Sequence, residues 1–185
     1  MNIKITVIIP TYRRPALLMN CLTGLAKQEM SKHDFQVIVV SAGADELAHR
    51  MTAQAVIKFR MDIRFLCTAE NMSSSDARNM GWQNAKSRLI AFTEDYCIPD
   101  PLWLDELYNT YVSLKKPELA AFSGSSTDLT SSNCACTKKV LQVTGGFDTR
   151  FNIGEDRDLQ FKLVSKNIPI YKVEAAKVRQ TLMFF

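Results

Sequence analysis

The sequence predicts an α/β fold, with a mostly parallel central sheet flanked by helices. Three observations carry that reading. Short apolar runs alternate along the chain with segments of helical periodicity. Runs such as Val7-Ile8-Ile9 lack polar alternation, as strands covered on both faces do. Chain breakers then recur at the same edge of successive strands, Pro10 after the first and Ser41-Ala42-Gly43 after the second.

The elements follow in order. Ile3 to Ile9 reads as a strand closed by Pro10-Thr11, and Pro15 opens a helix striped by Leu17, Leu18, Cys21, Leu22 and Leu25. Phe35 to Val40 is the second strand. The Pro10-Thr11-Tyr12 turn either hydrogen-bonds a planar heterocycle beside Tyr12 or is an ordinary exposed turn. Asp45 to Lys58 carries Leu47, Met51 and Ala55 at helical spacing, and Ile63 to Cys67 is a strand. Ser73-Ser74-Ser75-Asp76 offers caps to a helix bearing Ala77, Met80, Asn84 and Ala85. A cation at Arg78 does not complement that helix's dipole, so a phosphate, an acidic partner or neighbouring Asp76 must hold it. Gly81 weakens the helix, which points to a close approach.

Leu89 to Phe92 is a buried strand, and Glu94 and Asp95 lie where it ends, with Pro99 and Pro101 stopping continuation. Open α/β sheets handle ligands beyond the carboxyl ends of their strands. The two acids either hold Mg²⁺ or Mn²⁺, which take oxygen ligands, or begin a solvated turn. Trp103, Leu104, Leu107 and Tyr111 follow on a helix, and Leu119 to Ser123 is a strand. Ser123 to Cys136, rich in Ser, Thr and Asn, reads as a loop or weak edge strand. Lys139 to Val143 is a short helical turn leading into Gly145-Gly146-Phe147-Asp148. Gly154 opens the last clear helix with Glu155, Asp156 and Asp158 in its first turns. Those acids suit the helix dipole, and one held beside a sugar hydroxyl is also placed to act as a base. Pro169 to Val173 and Lys177 to Gln180 are extended.

Composition narrows the function. The 185 residues have 46% hydrophobic and 23% charged content with a formal charge of +4, and the basic residues are dispersed in pairs, against a nucleic-acid groove. Five cysteines, an odd number, point to a reducing, cytoplasmic setting, and Cys134-Ala135-Cys136 lacks the second pair of a zinc site. Neither a signal-peptide pattern nor an apolar run of about 20 residues is present. The whole chain, 1–185, reads as one domain, short at its C-terminus if it is part of a longer protein. Its apolar end, Leu182-Met183-Phe184-Phe185, either docks on the domain, meets a partner or the inner face of a membrane, or marks a cut edge. No G-x-G-x-x-G follows the first strand and there is no P-loop, which disfavours a Rossmann dehydrogenase.

Four stretches in order then carry a resemblance: Val7 to Pro15, Ala77-Arg78-Asn79-Met80-Gly81, the acidic turn Glu94 to Pro99, and Gly145-Gly146-Phe147-Asp148 with Gly154-Glu155-Asp156-Arg157-Asp158-Leu159. Together they resemble the inverting glycosyltransferases of family 2, with the GT-A fold. The resemblance implies transfer from a nucleotide-sugar donor, a UDP-sugar by analogy, to a glycan or other hydroxyl acceptor, with Mg²⁺ or Mn²⁺, in polysaccharide biosynthesis. It places Pro10, Thr11, Tyr12, Arg13, Ser41, Arg78, Glu94 and Asp95 at the donor, with Asp95 and Glu94 at the metal. It makes Asp156 the catalytic base, with Trp103, Gly146, Phe147, Asp148 and Glu155 on the acceptor side. Three positions depart from the family pattern. Ser41 stands where a base-contacting aspartate is common, Tyr96 where the third acid of the turn belongs, and Gln180 where a histidine is frequent. Those changes bear on metal affinity and donor identity, and they open the alternative of a noncatalytic relative that binds a nucleotide, glycan or protein.

Overall fold

The structure is a computed structural model describing residues 3–70, 72–124, 128–151 and 153–181. The chain end at Leu182–Phe185 lies outside the described residues. In chain order the elements are β1 (Ile5–Thr11), α1 (Pro15–Ala26), β2 (Phe35–Ser41), α2 (Glu46–Phe59), β3 (Asp62–Cys67), α3 (Ser74–Gln83), β4 (Leu89–Thr93) and β5 (Cys97–Pro99). They continue with α4 (Trp103–Ser113), β6 (Ala121–Gly124), β7 (Asn133–Thr137), α5 (Lys138–Thr144), α6 (Glu155–Ser165), β8 (Ile170–Val173) and β9 (Val178–Gln180).

Seven strands form one sheet in the order β3-β2-β1-β4-β7-β6-β8. Only β7 runs antiparallel to its neighbours, β4 and β6. Side chains of alternate parity on β1 feed two cores, as the pleat requires. Ile5, Val7 and Ile9 pack under Leu18, Leu22, Ala55, Trp103 and Leu107 from α1, α2 and α4. Ile8 packs on the other face with Ala77, Val140, Leu141 and Leu159 from α3, α5 and α6. Helices thus cover both faces, which is why the central strands carry no polar alternation.

β1 and β2 are in register from Ile5↔Phe35 to Thr11↔Ser41, so the breaks at 10 and 41 do share an edge. β1 runs on through Pro10, two residues past the expected end. Thr11 bonds toward β2 through the Ala42 N–H, so Pro10 faces β4, whose ladder has already stopped at Ile8↔Phe92. No hydrogen bond is lost there to the missing N–H. Because β2 lies on one side of β1 and β4 on the other, the strand order reverses at this point. A crevice opens there at the carboxyl ends.

Several elements differ from the sequence reading. On α2 the buried face is Ala48, Thr52 and Ala55, whereas Leu47 is exposed; small residues let the helix lie close to α1 and the sheet. Helix α3 stops at Gln83, before Asn84 and Ala85. The end of the Ser/Thr-rich stretch is β7, a fully buried interior strand and neither loop nor edge. Past the acidic turn, Cys97–Pro99 and Val178–Gln180 pair as a small second sheet. The prolines do not prevent that short pairing.

Candidate active site

The crevice between β1 and β4 is set by backbone ladders. Thr11 at the end of β1 donates its hydroxyl to Asp95 Oδ2 at 2.8 Å. Asp95, with a side chain 2% exposed, faces Arg14 Nη1 across 3.5 Å through Oδ1, which has no hydrogen bond. Burial pushes the Asp95 carboxyl above its ordinary range, with Thr11 and Arg14 pulling the other way. Glu94, next in the chain, is tied elsewhere: Arg78 Nη2 bonds its Oε1 at 2.5 Å, and Arg78 Nη1 bonds Glu155 Oε1 at 3.0 Å. Arg78 is therefore held by acidic partners, while Asp76 serves the capping box with Ser73. Burial alone would lower the guanidinium's pKa, but Glu94 and Glu155 outweigh it and the net direction is upward. Burial also raises the Glu94 carboxyl, against Arg78.

Packing explains why the glycine motif and the Ala77–Gly81 stretch belong together. Asn79 donates from Nδ2 to the Phe147 carbonyl at 2.7 Å and accepts the Phe147 N–H at 3.0 Å. Gly146 has φ +72°, and a Cβ there would sit 2.4 Å from Asn79 Oδ1, so only glycine fits. Phe147 lies beneath Arg78, 5.3 Å from ring centre to guanidinium, and meets Phe92 edge-on. Gly81 permits the approach foreseen for it: a Cβ would fall 2.4 Å from Ile8 Cγ2.

Two cavities open over these residues. The smaller, about 450 Å³, is lined by Pro10, Thr11, Tyr12, Arg14, Ala42, Met72, Ser73, Ser74, Ala77, Glu94 and Asp95. The larger, about 1270 Å³, runs from Arg14, Arg78, Glu94 and Tyr96 past residues 128–132 to Asp156, Arg157 and Phe161. Arg14, Ser74 and Glu94 line both. Asp156 lies at the start of α6, and its Oδ2 accepts the Ser131 N–H at 3.0 Å.

The structure brings together most of the expected residues. Pro10, Thr11, Tyr12, Arg78, Glu94, Asp95, Glu155 and Asp156 line one cavity or the other. Others do not reach them. Arg13, at φ 52°, stacks on Tyr12 and gives its N–H to Asp45, the cap of α2, whereas Arg14 is the arginine in both cavities. Ser41 is buried and spends its hydroxyl on the Gly43 carbonyl. Trp103 is wholly buried, with Nε1 donating to Asn133 Oδ1, so it is a core residue and not an acceptor contact. Gly146 and Phe147 act as the pedestal for Arg78, and Asp148 pairs with Arg150. Gln180 pairs with Cys97 on the small sheet. The sequence reading missed Arg14, Ser74 and Ser131; the Arg13-Arg14 pair was the available signal for the first.

The acids as arranged do not fit a divalent cation. Glu94 and Asp95 each already face an arginine, and the third position is Tyr96, whose phenol burial and the nearby Glu94 push up to about 12. A neutral phenol is a poor substitute for carboxylate at such a site. Among the described residues no group of three His, Cys, Asp or Glu side chains is placed to share an ion.

The family model for glycosyl transferase family 2 matches residues 6–132. The chain belongs to that family. Among curated relatives, the hyaluronan synthase of Pasteurella multocida is 32% identical over 104 residues, covering 56% of this chain and 10% of that protein. The validoxylamine A glucosyltransferase of Streptomyces hygroscopicus subsp. limoneus is 29% identical over 150 residues, covering 79% of this chain and 28% of that protein. The chain therefore spans only a minor part of these relatives' length. Residues 1–349 of Staphylococcus aureus TarS, solved with UDP-GlcNAc, superpose with TM-score 0.78 at 16% identity, over 99% of this chain and 60% of that one. A Pyrobaculum calidifontis mannosyltransferase solved with GDP-Man and Mn²⁺ gives 0.78 at 17% identity, over 95% and 56%. The fold is GT-A, and the family is one of glycosyltransferases. No described helix is long and apolar enough to cross a membrane.

Proposed function

We propose that this chain carries an inverting glycosyl transfer from a nucleotide-sugar, a UDP-sugar foremost, to a hydroxyl acceptor. The observation that carries the reading is the pair of cavities meeting at Arg14, Ser74 and Glu94, with Asp156 across the larger one. At about 450 Å³ the smaller cavity falls in the range of about 300–1,000 Å³ usual for small-molecule sites. Tyr12 and the strand-end backbone hold the base there, and the diphosphate points toward the shared wall.

The sugar then lies toward Asp156. The acceptor hydroxyl gives its proton to the Asp156 carboxylate while its oxygen bonds the anomeric carbon. The bond from that carbon to the diphosphate breaks on the opposite face, its electron pair leaving with the phosphate oxygen. Configuration at the anomeric carbon inverts. Ser131 holds one Asp156 oxygen through its N–H at 3.0 Å, which orients the carboxylate. The Arg78 network fixes the start of α6 relative to the acidic turn, since Glu155 and Glu94 share one guanidinium.

Calorimetric titration with UDP, GDP, CDP and dTDP tests the donor site. UDP binding tighter than the other three is the expected result. Silence across the whole set would overturn the reading and favour a noncatalytic domain that contacts a glycan or protein.

A further inference from the structure

We infer that Arg14 neutralises the donor diphosphate in this chain and that no divalent cation is needed there, an inference resting on the donor reading above. Three observations converge. Both carboxylates of the acidic turn already face guanidinium groups, Glu94 at 2.5 Å from Arg78 and Asp95 at 3.5 Å from Arg14. Where a third acid would add negative charge to attract a metal ion, Tyr96 presents a phenol to the larger cavity. Arg14 itself is 46% exposed and lines both cavities, so its charge lies at their junction.

The two arginines are not equivalent. Arg78 is walled in, with both terminal nitrogens spent on Glu94 and Glu155. Arg14 has one long contact, to an Asp95 oxygen that makes no hydrogen bond. Moving Arg14 from Asp95 to a phosphate breaks no hydrogen bond shorter than 3.5 Å, and Asp95 keeps the Thr11 hydroxyl at 2.8 Å. A guanidinium is permanently charged and matches phosphate oxygens in pairs. As the anomeric C–O bond breaks and its electron pair passes to the phosphate oxygen, that charge stabilises the leaving group where a metal ion otherwise would.

The test titrates UDP into the protein twice, once with EDTA and once with saturating Mn²⁺. Equal affinity in both is expected. Arg14→Gln should weaken binding about tenfold or more in EDTA, the scale of a lost charge-assisted hydrogen bond, and Arg14→Lys should recover part of it. Tyr96→Asp should make affinity respond to Mn²⁺, where the parent does not. Circular dichroism checks that each variant is folded, which the exposure of Arg14 favours. Parent binding that requires Mn²⁺, or Arg14→Gln binding as tightly as the parent, would overturn the inference and leave the donor reading standing. No binding of any of the four nucleotides, with or without metal, would overturn both.

Discussion

The smaller cavity hangs from backbone ladders, whereas the far wall of the larger one hangs from side chains. Thr11 and Asp95 are placed by the β1–β2 and β1–β4 registers, which the pleat and apolar packing fix. Asp156 and residues 128–132 are placed by Arg78 to Glu155, Ser131 N–H to Asp156, and Leu129 N–H to Gln160. A ladder fails as a unit, but a set of side-chain ties can be cut one at a time. Single substitutions can therefore alter the far wall without disturbing the near one.

Cutting the strongest tie gives the largest effect. Arg78→Ala leaves Glu94 and Glu155 buried without their cation, Glu94 keeping only the Ser131 hydroxyl at 3.4 Å, so urea unfolding should show a loss of about 3–5 kcal/mol. A loss below about 1 kcal/mol would mean that water reaches both acids and that the tie is not structural. Next comes the pedestal. Gly146→Ala and Gly145→Ala both place alanine at positive φ, but only the first collides with Asn79; nothing lies within 4 Å of a Cβ at 145. Thermal unfolding should rank Gly146→Ala worse by about 1–3 kcal/mol, the cost of overpacking. Equal losses would place the strain in the backbone alone.

Much of the ladder-built wall was legible in the sequence because apolar strands, breakers and acids repeat with a physical period. Val7-Ile8-Ile9 and Leu89 to Phe92 declare themselves as covered strands, and Glu94-Asp95 marks the end of one. The side-chain-built wall was less legible. Ser131 holds Asp156 through a backbone N–H, which no residue type encodes. β7 is Asn-Cys-Ala-Cys-Thr, with small side chains that give no strand signal, yet all five residues are buried. The resemblance put Trp103 on the acceptor side, but Asn133 supplies its Nε1 partner inside the core. On α2 the expected Ala55 does lie on the close face, but Leu47 and Met51 were each off by one position because Ala48 and Thr52 make the rest of it.

Asp95 sharpens the contrast through pH. Its folded pKa is raised by burial, so the native state binds its proton more tightly than the unfolded chain. That contribution is fully present below about pH 4 and is lost as pH rises through the folded value. Asp95→Asn should therefore gain stability relative to the parent between acid and neutral pH, read from denaturant midpoints at both. A constant difference would show that Thr11 and Arg14 offset the burial. The smallest change is Gln160→Ala, which frees the Leu129 N–H for about 1 kcal/mol or less. It should raise the acceptor KM and leave UDP affinity alone; a change in UDP affinity would mean the two walls are mechanically coupled.

Asp156→Asn tests the account most directly, because the change keeps the shape of the side chain and removes its ability to take a proton. With UDP-sugar and a working acceptor, turnover should fall by about 10²–10⁴ while UDP binds as tightly as to the parent and the fold is intact. Near-normal turnover with that variant would contradict Asp156 as the base and the direction of transfer built on it.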